Sequence, residues 1–184
     1  AASTLFLQGG IGALSVRAIA KSAELSTIGI YSHFQGKQGI LDTLYAEGFN
    51  MVDEAMDVLT LGVTPKEAVL KALENYLLFG EHNEAHYKLI FGENQDSYEP
   101  GEEAMAAGAR AFVHLTKVVS RLLPNAKTLQ EKQQNAVQFW ALAHGYVSLK
   151  HHKVSGMMDT SQWKEQALTA VALHVDAMIA QQQS

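Results

Sequence analysis

Residues 15–37, SVRAIAKSAELSTIGIYSHFQGK, constrain this chain more than any other stretch. Ser15 has the side chain of a helix N-cap, an oxygen that accepts a free backbone N–H of the first turn. Behind it Val16, Ile19, Ala20 and Ala23 fall on one helical face. Glu24, Leu25 and Ser26 interrupt that helix, and Ser26 is placed to cap a second one running from Thr27 to Phe34. That second helix is only about two turns long. Its spacing turns Ile30 and Phe34 inward and leaves Thr27, Tyr31, Ser32 and His33 outside. Two short helices, a tight turn and a polar-aromatic outer face on the second predict a helix-turn-helix.

Two residues break local rules in a way that points outside the chain. Gly29 lies inside the short second helix, where glycine costs roughly 1 kcal/mol relative to alanine. The missing side chain lets the backbone approach a DNA strand. Gly36 ends the helix, so Lys37 opens the next one, and a cation there opposes the helix dipole. A DNA phosphate resolves that conflict, because it attracts both the ammonium and the free N–H groups.

Leu14-Ser15-Val16-Arg17-x-Ile19-Ala20, followed by Ile30-Tyr31-x-His33-Phe34-x-Gly36-Lys37-x-x-Ile40-Leu41, resembles the N-terminal domain of the TetR (tetracycline-repressor) family of transcriptional regulators. The similarity runs from about Ala1 to Leu44. It implies a DNA partner and gives roles to individual residues. Arg17 would contact a base edge or a phosphate. Thr27 and Ile28 would sit at the leading end of the recognition helix, with Ile28 able to meet a thymine methyl. Tyr31, His33 and Lys37 match positions that grip phosphates, and Ser15 would add a contact through its hydroxyl or backbone N–H. Val16, Gly29 and Ser32 complete the expected DNA-facing set. No Arg, Asn or Gln stands on the recognition helix before Gln35, so readout is expected to rely on shape, apolar contact and Arg17.

Net charge is −5, which by itself argues against nucleic acid. The acidity is unevenly placed. Residues 1–45 hold Arg17, Lys21 and Lys37 against Glu24 and Asp42, a net +1, and the remainder holds 11 basic and 17 acidic side chains, a net −6. The expected division is therefore a DNA-binding domain over residues 1–45 and an effector-binding and dimerisation domain over residues 46–184. Cysteine is absent, which excludes disulfides and thiolate metal sites and fits a cytoplasmic location. No run of 18 apolar residues indicates a membrane span, and Gly9, Gly10 and Gly12 interrupt any signal-peptide core in the first 16 residues.

The rest reads as helices only, about nine in all, giving an all-α fold. A first helix ends at Gly9-Gly10. A long one runs from Lys37 to about Leu59. Thr64-Pro65-x-Glu67 and Thr128-x-x-Glu131 are capping boxes that open two more. Gly80 is expected to end the first of these, and Asn83 to cap a short helix through Phe91. GENQDSYEPG reads as a loop, Glu102 to Leu123 as a helix closed by Pro124, and Gly156 as loop. Asp159, Thr160 or Ser161 is expected to cap a final helix to about Gln181. The last two helices are apolar on more than one face, through Val137, Phe139, Trp140, Leu142, Val147 and Leu149 in one and Leu168, Val171, Val175, Met178 and Ile179 in the other. Surplus apolar surface of this kind marks an interface, here a four-helix bundle across a homodimer axis. Trp140-Ala141-Leu142-Ala143-His144-Gly145 also resembles a Trp-x-x-x-His-Gly segment of one C-terminal domain type in the same family.

Tyr76, Phe79, Tyr87, Phe91, Met105, Phe112, Trp140 and His144 are candidate walls of an apolar cavity for a small hydrophobic effector, with core packing as the plainer role for each. His82 and His86 have metal-ligand spacing on one helix, but Asn83 starts a new helix between them, and His151 and His152 point apart. No metal and no cofactor is expected. Glycine-rich phosphate loops, nucleophile elbows and carboxylate pairs are missing, which argues against an enzyme. The expected function is a ligand-responsive regulator, most simply a repressor on a pseudo-palindromic operator. The alternative is a helical ligand-binding or adaptor protein with a vestigial DNA-binding head.

Overall fold

The computed structural model describes residues 1–58, 62–92 and 98–183. Among them lie nine α-helices and no strand: α1 (Ala2–Ala13), α2 (Val16–Ser22), α3 (Thr27–Phe34), α4 (Lys37–Ala55), α5 (Pro65–His82), α6 (Glu84–Phe91), α7 (Glu102–Ser120), α8 (Leu129–His151) and α9 (Trp163–Gln183). A 3-10 turn, Lys153–Met157, separates the last two and contains Gly156. No helix among the described residues is long and apolar enough to cross a membrane.

The capping signals in the sequence act as expected. Ser15 Oγ accepts the Ala18 N–H at 3.1 Å and Ser26 Oγ accepts the Gly29 N–H at 3.0 Å. Both predicted boxes close: Thr64 N–H donates to Glu67 Oε2 at 2.7 Å, and Glu131 N–H donates to Thr128 Oγ1 at 3.1 Å. The hydrogen bonds to Thr64 and Thr128 hold both glutamates below the usual carboxylate range. Within α1 the backbone breaks its helical course at Gly9 and Gly10, the latter at φ 63°.

Other boundaries move, for identifiable reasons. α4 stops at Ala55 rather than near Leu59, which lies outside the described residues. The chain tightens there through i→i+3 bonds from Met56 and Asp57, and Asn75 Nδ2 donates to the Ala55 carbonyl at 3.2 Å. α7 stops at Ser120 rather than Leu123. Residues 121–123 make i→i+3 bonds as Pro124 approaches, since a residue before proline is driven out of the α conformation. Gly80 does not end α5; the helix continues to His82, and a Cβ on Gly80 would sit 2.4 Å from Val147 Cγ1. Its role is close packing of α5 on α8. Asn83 occupies the N-cap of α6 without a side-chain cap bond. α9 begins at Trp163, and Asp159 caps the preceding turn instead, accepting the Ser161 N–H at 2.9 Å.

The chain forms two compact units, one of residues 1–51 with 82–109, the other of residues 52–81 with 110–184. The first is centred on Leu14, Ile19, Ile30, Ile40 and Leu41, with an aromatic series along α4 and α6: Tyr45 against Phe49 at 5.0 Å, Phe49 against Phe91 at 5.6 Å, and Phe91 against Tyr87 at 5.1 Å. In the second, Ala167, Val171 and Val175 of α9 recur every four residues and are buried, as are Ala136, Phe139, Ala143 and Val147 of α8, the helix α9 packs on, and Val119 of α7. Trp163 Nε1 donates to the Tyr146 carbonyl at 2.8 Å and its ring lies edge-on to Tyr146 at 5.7 Å, pinning the start of α9 to α8.

Candidate nucleic-acid interface

Between α2 and α3 the turn is a Schellman motif. Leu25 N–H bonds the Ala20 carbonyl at 2.9 Å, and Glu24 takes up the left-handed conformation at φ 55°. A non-glycine residue there stores backbone strain, and in exchange α3 leaves α2 at a fixed angle. Ile30 anchors α3 from below at 2% exposure. Its other side is open: Ile28 is 79% exposed and Tyr31 57%, and Thr27, Ser32 and His33 are exposed beside them. Ser15 and Arg17 are exposed at the start of α2, and Val16 is half-buried.

A Cβ on Gly29 would meet only Ser26 Oγ, at an ordinary 3.4 Å. Packing inside the chain therefore does not require glycine at this position. Ser32 Oγ donates back to the Gly29 carbonyl at 3.0 Å, which leaves its lone pairs facing out. Gly36 is buried at φ 111°, and the Tyr31 ring lies 3.4 Å from the position of its missing Cβ. Gln35 at φ 56° closes α3 through a bond from its N–H to the Tyr31 carbonyl.

Lys37 has a partner within the chain. Its ammonium is half-buried and donates to the Ile11 carbonyl at 2.7 Å. The conflict between this cation and the dipole of α4 is thus met within the chain, by a carbonyl near the end of α1. Two N–H groups of the ammonium remain beyond that bond.

The candidate effector walls fall into separate groups. Tyr87 and Phe91 belong to the aromatic series of the first unit, and Met105 of that unit is 54% exposed. In the second unit Phe112, Trp140 and His144 form one run, with ring separations of 6.2 and 6.4 Å, and Tyr76 and Phe79 are a buried pair at 6.1 Å. Trp140 and His144 share a face, as their spacing requires. Burial holds the His144 imidazole below its ordinary pKa. His82 and His86 lie on different helices, and His86 Nε2 faces Glu47 Oε2 at 3.4 Å. His151 and His152 have different partners: the Gly80 carbonyl at 2.8 Å for one, the Val154 N–H at 3.2 Å for the other.

One cluster escaped the sequence reading. Asp42 Oδ1 accepts from the Tyr98 hydroxyl at 2.7 Å and from the Gly101 N–H at 3.0 Å, and Gln38 Nε2 donates to the same oxygen at 3.2 Å. Burial and the Asp42 hydrogen bond push the Tyr98 phenol well above its usual pKa. A carboxylate on α4 and a tyrosine in a turn-rich stretch give no local sign of meeting.

Residues 1–44 match the tetR family of bacterial regulatory proteins, and residues 69–176 match the tetracyclin repressor-like C-terminal domain. This chain belongs to the TetR family. Regulators of this family are DNA-binding transcription factors, typically ligand-responsive repressors and generally not enzymes, and dimers are typical among them. The fold is similar to that of the TetR family regulator PfmR from Thermus thermophilus, at 20% identity and a TM-score of 0.66 over 97% of this chain and 94% of that one. A tetR-family regulatory protein from Rhodococcus RHA1 gives a TM-score of 0.70 at 19% identity, covering 97% of this chain and 92% of that one. AibR in complex with isovaleryl coenzyme A and operator DNA gives 0.64 at 18% identity, covering 93% and 91%. No curated protein sequence matches the chain.

Proposed function

We propose that this TetR-family chain is a repressor that leaves a pseudo-palindromic operator when a small apolar effector binds. Residues 1–45 form the DNA-binding domain and residues 46–184 the effector-binding and dimerisation domain. Two copies pair through α8 and α9, where Leu173 is 66% exposed and Val137 and Leu149 are exposed as well. Pairing sets the two α3 helices one helical turn of DNA apart, about 34–36 Å. Ile28 meets a thymine methyl in the major groove, Thr27 and Arg17 reach base edges or phosphate, and Tyr31, His33, Ser15 and Lys37 hold the backbone. Gly29 lets the strand come close, with Val16 and Ser32 at the edges of the contact. The observation that carries this reading is the one-sided anchoring of α3: Ile30 sealed beneath it, Ile28 and Tyr31 open above.

The effector lies within one unit against apolar and aromatic side chains, either Tyr76, Phe79, Phe112, Trp140 and His144 or Tyr87, Phe91 and Met105. AibR, a distant structural neighbour, is in complex with isovaleryl coenzyme A, whose short branched acyl end is of the apolar chemistry such walls suit. The effector shifts the equilibrium by its differential affinity for the two states, and α4 carries the change because it runs through both parts of the chain.

The test is a salt titration of operator binding. Arg17, Lys21 and Lys37 are the cations of each head, six in a dimer. If all six meet phosphate, they contribute about −5 to the slope of log K against log salt. A flat response between low and moderate salt removes phosphate contact, and the repressor reading with it.

A further inference from the structure

The Asp42 cluster lies on the second turn of α4, the helix that follows α3. Three ties converge on the first two turns of α4. Lys37 binds the Ile11 carbonyl at 2.7 Å. At Gly39 an added Cβ would lie 1.8 Å from the Phe34 carbonyl oxygen, so the first turn of α4 presses directly on the end of α3. One helical turn further on, Asp42 receives Tyr98 and Gly101. Gln38, on the same face four residues back, donates both to Asp42 and to the Glu99 carbonyl at 2.9 Å.

The fourth side of this arrangement is equally close. Tyr98 is buried, with its ring edge-on to Tyr45 at 5.9 Å. A Cβ on Gly101 would lie 3.1 Å from Asp42 Oδ2, tighter than ordinary packing. The Gly101 carbonyl accepts the Met105 N–H and so opens α7, whose free N-terminal groups favour a nearby carboxylate. Residues 98–101 are therefore held on α4 by three hydrogen bonds that converge on two side chains.

We propose that Asp42 and Tyr98 are positioning residues for DNA recognition. By fixing α4 on residues 98–101, they fix the direction in which α3 presents Ile28 and Tyr31, and so the spacing at which a dimer reads two half-sites. This rests on the operator-binding reading above. Both residues act through α4 and neither touches DNA.

Asp42→Ala, Asp42→Asn and Tyr98→Phe in the full chain separate this role from general stability. Amide exchange is followed along the whole chain. Affinity is measured on a duplex selected by the wild-type protein from random sequence, and on the same duplex with one base pair added or removed between half-sites. Asp42→Ala raises exchange in α3 and the start of α4 about tenfold, with α8 and α9 unchanged, and flattens the spacing preference severalfold. Asp42→Asn keeps an Oδ1 able to accept both Tyr98 and Gly101, so it restores both readouts. Tyr98→Phe falls between them and leaves the ring against Tyr45. Unchanged α3 exchange in Asp42→Ala overturns the proposal, as does faster exchange spread evenly over both units. Asp42→Asn behaving like Asp42→Ala overturns the geometric basis. A wild-type chain that ignores every duplex sinks the operator reading, while the exchange data still decide the clamp.

Discussion

Ile28 offers the sharpest test of how this protein reads DNA. It stands 79% exposed on α3 yet is wholly apolar. If it meets a thymine methyl, replacing that thymine by deoxyuridine removes one methyl group and no hydrogen-bonding atom. Burying one such carbon is worth about 0.8 kcal/mol, roughly fourfold in affinity. Making the change in both half-sites gives about 1.6 kcal/mol, roughly fifteenfold. The assay is a fluorescence-anisotropy titration with duplexes carrying deoxyuridine at each thymine in turn. One symmetric pair of positions is expected to show the loss and the others little. Ile28→Ala supplies the second arm of a double-mutant cycle. Because Ile28 is exposed, its truncation changes fold stability by less than about 0.5 kcal/mol, and the affinity loss is readable as a contact. In that variant the deoxyuridine penalty is expected to vanish. A penalty of the same size that persists in Ile28→Ala refutes the contact, and so does a wild-type protein indifferent to every thymine methyl.

Three further outcomes follow from other parts of the chain. Gly80→Ala forces a Cβ to 2.4 Å from Val147 Cγ1 and is expected to lose about 1–3 kcal/mol, seen as a lower urea midpoint, with Val147→Ala recovering part of it. Leu173→Arg is expected to give a folded monomer in sedimentation, because Leu173 is exposed within one chain and the proposed α8–α9 pairing would bury it; an intact dimer rejects that pairing. Burial lowers the His144 pKa, so the unfolded state takes up its proton first as pH falls. Stability from this group is complete above about pH 6.5 and declines below it, and His144→Gln is expected to lose less urea resistance than wild type between about pH 7.5 and 5.5.

What the sequence made legible were bonds between residues three or four apart. The caps at Ser15, Ser26, Thr64 and Thr128 are of that kind, and each closes as its neighbours dictate. The turn between α2 and α3 and the outer face of α3 were legible for the same reason, since period and capping set both. Gly80 shows where such reading stops. Glycine ends many helices, and nothing in the adjoining sequence says that Val147 fills the space of its missing side chain. Lys37 and Asp42 repeat the lesson. Their partners are 26 and 56 residues away, and only the packed chain brings them together. The aromatic residues read as effector walls had helical spacing in common with core residues. The structure sets several of them in ring-on-ring series within each unit, an arrangement that spacing alone does not distinguish from a cavity wall.

The small positive charge of residues 1–45 and the exposed apolar Ile28 on α3 bear on the same question of how DNA is discriminated. Residues 1–45 carry three cations, one of them partly engaged by the Ile11 carbonyl, and the sequence-independent pull of these three on phosphate is modest. With no Arg, Asn or Gln on α3 before Gln35, bidentate base recognition does not supply the difference. An apolar contact such as Ile28 with a methyl group gains free energy only where the surfaces meet closely, and it fades with a gap of about an ångström. Discrimination then depends on how well α3 is held in place. Glu24 at positive φ and Gly39 against the Phe34 carbonyl lie on either side of α3, and the proposed clamp adds the Asp42 carboxylate receiving Tyr98 from 56 residues away. If Ile28 reads a methyl group, loosening the Asp42–Tyr98 clamp is expected to cost discrimination between sequences before it costs non-specific binding.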